Sequence, residues 1–127
     1  MDKENVLEFK SEYDVNPKTS VFIEDTLLPT IRKYLKDPHP SRLCILYGIE
    51  DTGEIKPVPQ RRLRSENISI IENRINKELR KDKISVIIQA IPFKEDVVLA
   101  VFIIPDLERI NTKYLGTSQT AGVKQET

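Results

Sequence analysis

Cysteine and histidine each occur once in this chain of 127 residues, and glycine only four times. A lone thiol, Cys44, can close no internal disulfide and build no thiolate metal cage. It sits in the apolar run Leu43-Cys44-Ile45-Leu46 and reads as a buried, inert side chain. His39 lies between Pro38 and Pro40, on a rigid exposed loop, and no serine or cysteine neighbourhood marks a nucleophile elbow. The glycines at 48, 53, 116 and 122 are scattered and form neither a P-loop nor a dinucleotide fingerprint, which argues against nucleotide-driven chemistry. Long apolar runs are missing as well. The longest, Val97 to Ile104, is far too short to span a bilayer as a helix, so membrane insertion is not expected. Met1 to Lys10 lacks the apolar stretch and small-residue cleavage site of a signal peptide, which points to an intracellular, cytoplasmic protein with the nucleus as an alternative. Net charge is absent too: 20 basic residues balance 20 acidic ones. Attraction to nucleic acid would therefore need a local basic patch.

What is present suits a single α+β domain. The length fits one core, and 39% hydrophobic residues gathered in runs can offset the entropy of ordering. Val6 to Lys10 has strand-favouring composition and is followed by the turn signal Asn16-Pro17. From Ser20 a helical pattern runs through Ile23, Leu27, Ile31, Tyr34 and Leu35, with Pro29 expected to kink it or shift its start. Asp37-Pro38-His39-Pro40 ends that helix, and Arg42 to Ile49 reads as a strand buried on both faces. The turn Glu50-Asp51-Thr52-Gly53 then leads into Glu54 to Val58, a short edge strand.

Ser65 caps a second principal helix, whose Ile68, Ile71, Ile75 and Leu79 recur at helical spacing. Two strands, Ile84 to Ile91 and Val97 to Ile104, are joined by the hairpin connection Pro92 to Asp96. A short strand is expected around Lys113 to Leu115. The fold class is thus a mixed β-sheet with two principal helices, formed by residues 1–121 with a flexible tail at 122–127.

Carboxylates cluster at two strand ends: Glu4 and Glu8 around the first, Glu50, Asp51 and Glu54 after the second. If those strands are neighbours, such acids can converge on a hard divalent cation, or they can simply solubilise the strand ends. The basic candidates are Lys10, the dense cluster Arg61, Arg62 and Arg64, and the series Arg74, Lys77, Arg80, Lys81 and Lys83. Arginine forks suit phosphate. Glu72 and Glu78 interrupt the last series, which reads as a solvated helix face.

The segment Glu4-Asn5-Val6-Leu7-Glu8-Phe9-Lys10 resembles the opening motif of Schlafen (AlbA_2-type) domains, an acid before a strand ending in Glu-Phe-Lys. Leu46 to Ile55 is similar to that family's apolar strand, glycine and acidic turn; Ile103-Ile104-Pro105 and Lys113 to Thr120 resemble its closing strand and tail. The resemblance implies an AlbA/Schlafen-like single lobe and a component of a metal-dependent endoribonuclease acting on structured or precursor RNA. It implies Mg²⁺ or Mn²⁺ held by Glu8, Asp51 and Glu4, with Lys10 steadying phosphate charge. The family's first acid falls at Lys3, and Glu4 is the neighbouring carboxylate. Lys10, Arg61, Arg62 and Arg64 are the expected nucleic-acid contacts, with RNA the expected ligand and DNA an alternative. A second copy or a related Schlafen-like subunit is the expected partner, because one lobe supplies only half a groove. The rival expectation is a noncatalytic nucleic-acid-binding or assembly module of the same fold.

Overall fold

Four strands form one mixed sheet in the computed structural model, which describes residues 5–36, 42–63 and 65–105. The strands are β1 (Asn5–Lys10), β2 (Arg42–Tyr47), β3 (Ile84–Phe93) and β4 (Asp96–Pro105), in the order β1-β2-β4-β3. β1 and β2 run parallel, so the chain must cross between them through a helix. β4 is antiparallel to both β2 and β3.

The crossover is one helical rod made of α1 (Thr19–Val21), a π-helical stretch (Phe22–Leu27) and α2 (Leu28–Leu35). Pro29 does not break it. The wider turns come just before the proline, where the Leu28 N–H bonds back to the Ile23 carbonyl, and this local widening accommodates the ring and the missing N–H of Pro29 within the rod. The Thr30 hydroxyl donates to the Thr26 carbonyl at 2.8 Å and satisfies one carbonyl of the altered ladder. α3 (Ser65–Glu78) is the second principal helix.

Both helical segments cover the same face of the sheet. Phe22, Ile23, Leu27 and Ile31 from the rod and Ile71, Ile75 and Leu79 from α3 are buried against Leu43, Ile45, Tyr47, Val86, Leu99, Val101 and Ile103. The 3.6-residue period of the helices and the period of two along the strands therefore meet in one core.

The other face is open among the described residues. Register places Leu7, Cys44, Phe102 and Ile87 in one row across it, and Leu7 and Ile87 are 50% and 43% exposed. Among the described residues β2 is covered on one side only, where its apolar run suggests both, and Cys44 is half-buried on the other face. Its partial burial still pushes the thiol above its ordinary pKa, so it remains protonated at neutral pH.

Three further expectations change. Glu54 to Val58 forms only single bridges, Ile49 with Ile55 and Val58 with Val97, because Pro57 and Pro59 have no N–H to extend a ladder. The β3–β4 connection is the two-residue turn Lys94-Glu95, shorter than expected. Pro92 belongs to β3, which its position on an edge strand allows. The loop around His39, the expected strand at Lys113 to Leu115 and the expected tail lie outside the described residues.

β3 is an edge whose outward backbone groups are met by side chains of α3. Asn76 accepts from the Val86 N–H at 2.8 Å and donates to the Val86 carbonyl at 2.9 Å, as a neighbouring strand would. Glu72 accepts from the Ile88 N–H at 2.8 Å. A long edge strand is thereby closed to strand addition along part of its length.

Candidate functional site

The two parallel strands end side by side, and their register fixes what gathers there. Glu8 and Lys10 are two apart on β1, so both project to the helix-covered face. On an edge strand such side chains reach solvent at the rim, and the Lys10 ammonium lies 3.3 Å from the Glu8 carboxylate. β1 then turns at Ser11 into one helical turn, Glu12–Asp14. The Ser11 hydroxyl accepts from the Tyr13 N–H at 3.0 Å and the Asp14 carboxylate accepts from the Ser11 N–H at 3.2 Å, a reciprocal cap that holds Asp14 beside the strand end.

On the neighbouring strand, Gly48 follows β2 with φ +108°, a backbone that side-chain-bearing residues rarely adopt. Its N–H donates to the Lys10 carbonyl at 2.8 Å, which ties the exit of β2 to the end of β1. The chain then folds back through Glu50-Asp51-Thr52-Gly53, with the Gly53 N–H bonded to the Glu50 carbonyl and the Glu50 N–H to the Glu54 carbonyl. Glu8, Lys10, Ser11, Asp14, Ile49, Glu50 and Asp51 thus line one open cleft of about 570 Å³. Four carboxylates face one ammonium there, so the local field favours a cation. The cleft lies beyond the carboxyl ends of two parallel strands, the position where open α/β sheets bind ligands.

Tyr47 lies beneath this rim, paired with Lys10 in the sheet and edge-to-face with Phe22 at 5.3 Å. Its buried hydroxyl has no hydrogen-bond partner among the described residues. Burial first, then the charges of Asp14 and Glu8, push its pKa well above the ordinary value for tyrosine.

Of the residues singled out from the sequence, Glu8, Lys10 and Asp51 come together in this cleft. Glu4 and Arg64 lie outside the described residues. Arg61 and Arg62 sit in the short turn Gln60–Arg62, away from the cleft lining. Arg62 is already engaged: it reaches the Glu12 carboxylate at 3.1 Å and the Glu12 carbonyl at 3.0 Å, and lies 5.8 Å from the Tyr13 ring centre. It joins two loops. Asp14 escaped sequence reasoning, although the pattern Ser11-x-x-Asp14 directly after a strand is a capping signal.

A divalent cation finds oxygen donors of the right chemistry here, and Mg²⁺ commonly takes only one or two carboxylates plus substrate phosphate. No group of three His, Cys, Asp or Glu side chains placed to hold a metal occurs among the described residues, and Glu4, the third of the expected acids, lies outside them. No helix among them is long and apolar enough to cross a membrane.

A second concavity, about 580 Å³, adjoins the first and shares Glu8 and Lys10 with it. Pro29, Thr30, Lys33, Tyr34, Lys36 and Leu43 complete its lining. Neither known protein-family models nor curated proteins match the chain.

Proposed function

We propose that the chain is a nucleic-acid-processing component whose acidic cleft acts on RNA phosphodiesters with a divalent metal, as the Schlafen resemblance implies. The observation that carries this reading is the meeting of Glu8 and Asp51, far apart in sequence, at the carboxyl ends of two adjacent parallel strands. Glu8 and Asp51 are the carboxylates that would hold Mg²⁺ or Mn²⁺, with Glu4 the expected third. When bound, such an ion polarises a phosphoryl oxygen and acidifies a coordinated water. Lys10, held beside Glu8, offers its ammonium to a phosphate oxygen entering the cleft. Asp14 and Glu50 add negative field that favours the ion over monovalent competitors.

The purified chain, alone and with its cellular partners, is expected to cleave structured RNA in Mg²⁺ or Mn²⁺. Glu8→Gln or Asp51→Asn should lower the rate about 100-fold or more with the fold intact, the scale on which transition-state charge stabilisation is lost. Cleavage at wild-type rate by both variants would remove the catalytic assignment.

The second reading, a noncatalytic assembly module, is favoured by the apolar row Leu7, Cys44, Phe102 and Ile87 on the sheet face away from the helices. A second copy is the fitting occupant, because a two-fold interface matches the same apolar patch to itself. The face measures about 20 Å by 20 Å, roughly 400 Å² on each copy, which is below the area of a standard specific interface, so the expected dimer is weak and transient. Sedimentation equilibrium should show dimers that Ile87→Lys dissociates; a monomer at high micromolar concentration would reject this surface as the interface.

A further inference from the structure

The acidic cleft does not stop at Glu8 and Lys10; these two side chains are the shared wall between it and the concavity that runs along α2. We propose that the combined groove is a track for a single-stranded segment of the structured substrate, in which Lys33 and Lys36 grip phosphates and Lys10 hands the strand to the acidic end. The inference rests on the nucleic-acid reading of the acidic cleft and gives that site a substrate-positioning arm.

Lys33 and Lys36 are three apart at the end of α2, so they lie on one face of the helix and both line the groove. Arg32, in the same last turn, does not line it. A helix C-terminus favours cations of itself, but that effect needs no convergence of lysines on one hollow. Both lysines are exposed, and neither forms a salt bridge among the described residues. Glu8 is the one carboxylate in this lining, and Lys10 already balances it.

Pro29 and the half-buried Tyr34 ring add apolar surface to this lining. A basic groove that follows the backbone, interleaved with an aromatic ring and apolar contacts for bases, is the arrangement that binds single strands with little sequence preference. In a chain of zero net charge, a local cluster such as this has to supply the attraction. The polarity also suits the chemistry: the basic end holds phosphates, and the acidic end would repel the strand except where a cation intervenes.

The test is fluorescence anisotropy of the full chain with a short labelled poly(U) RNA and the matching DNA, in EDTA so that no cleavage occurs, across a salt series. Wild type should bind with a clear salt dependence. Lys33→Gln/Lys36→Gln should weaken binding about tenfold. The same pair should flatten the log-log salt slope by about 1.4, since each phosphate contact to a single strand contributes about 0.7. Lys33→Arg/Lys36→Arg should restore most of the affinity. Lys56→Gln/Lys81→Gln, which removes equal charge elsewhere on the surface, should leave both quantities near wild type. Equal loss in both Gln pairs, no loss in the groove pair, or no binding by wild type would each overturn the track. Tighter binding of RNA, or equal binding of RNA and DNA, would each support it and decide whether the groove reads the sugar. Glu8→Gln/Asp51→Asn should retain binding in EDTA while losing cleavage in Mg²⁺. A groove that fails while cleavage persists leaves the nuclease reading standing, and binding without any cleavage does the reverse.

Discussion

Replacing Asn76 by alanine tests whether α3 stabilises the open edge of β3 by imitating a strand. The Asn76 carboxamide accepts from the Val86 N–H at 2.8 Å and donates to the Val86 carbonyl at 2.9 Å, with a further bond to the Glu72 carbonyl at 2.9 Å. The two bonds to Val86 are the ones at stake, because the Glu72 carbonyl is also within reach of the helix ladder. Each is worth about 1 kcal/mol net in a partly buried setting. Alanine returns about 0.5 kcal/mol through its better helix propensity. The expected loss is therefore about 1.5 kcal/mol, which for a domain of this size lowers Tm by about 5 °C. Urea denaturation should show a lower midpoint with an unchanged slope, since the surface exposed on unfolding is the same. Asn76→Asp keeps the acceptor for the Val86 N–H but points a carboxylate at the Val86 carbonyl, so at neutral pH it should cost at least as much as alanine. Because the substitution also bares an edge, the variant should associate at high concentration more readily than wild type. An Asn76→Ala protein melting within about 1 °C of wild type would refute the strand-mimic account, since it would place the net worth of both bonds near zero.

Gly48→Ala should destabilise by about 2 kcal/mol or more, because it combines the strained φ with a Cβ only 3.2 Å from the Pro57 backbone, whereas Gly53→Ala meets open space and should cost only about 1 kcal/mol of backbone strain. Equal losses in urea melts would show that close approach is not the constraint. The Tyr47 hydroxyl, whose pKa is raised above the ordinary value near 10, leaves stability unaffected below that pH and lowers it as pH rises beyond it, because the unfolded chain ionises first. Tyr47→Phe should therefore flatten the fall in stability above about pH 10 and cost nothing at pH 7; a steeper alkaline fall in the variant would contradict this. Arg62→Gln should cost about 1–2 kcal/mol, discounted for a pair whose side chains remain 21% and 14% exposed, and should leave nucleic-acid affinity unchanged; weakened RNA binding at equal stability would return Arg62 to the binding surface.

Periodicity and punctuation alone were enough to locate most of the elements. The spacing of Ile71, Ile75 and Leu79 produces one buried helix stripe wherever the helix packs, and the β-branched runs around Val86 and Val101 favour strands in any context. These are local properties of the chain, carried by backbone preference and side-chain period. The parallel pairing of β1 with β2 is not local. It brings Glu8 and Asp51 to one cleft, and no spacing in the sequence expresses that register. The same holds for charges: Arg62 stands in a dense basic run of the sequence, and only the fold sets Glu12 against it and brings Lys33 and Lys36 to one concavity with Glu8 and Lys10. It holds for burial too, since the apolar run of β2 cannot state whether one face or both are covered; only the placement of both helices on the same side left Cys44 and Leu46 half-buried. Residue type sets what each group can do, and tertiary packing decides which groups meet, because contact and desolvation depend on neighbours that the chain supplies from far along its length.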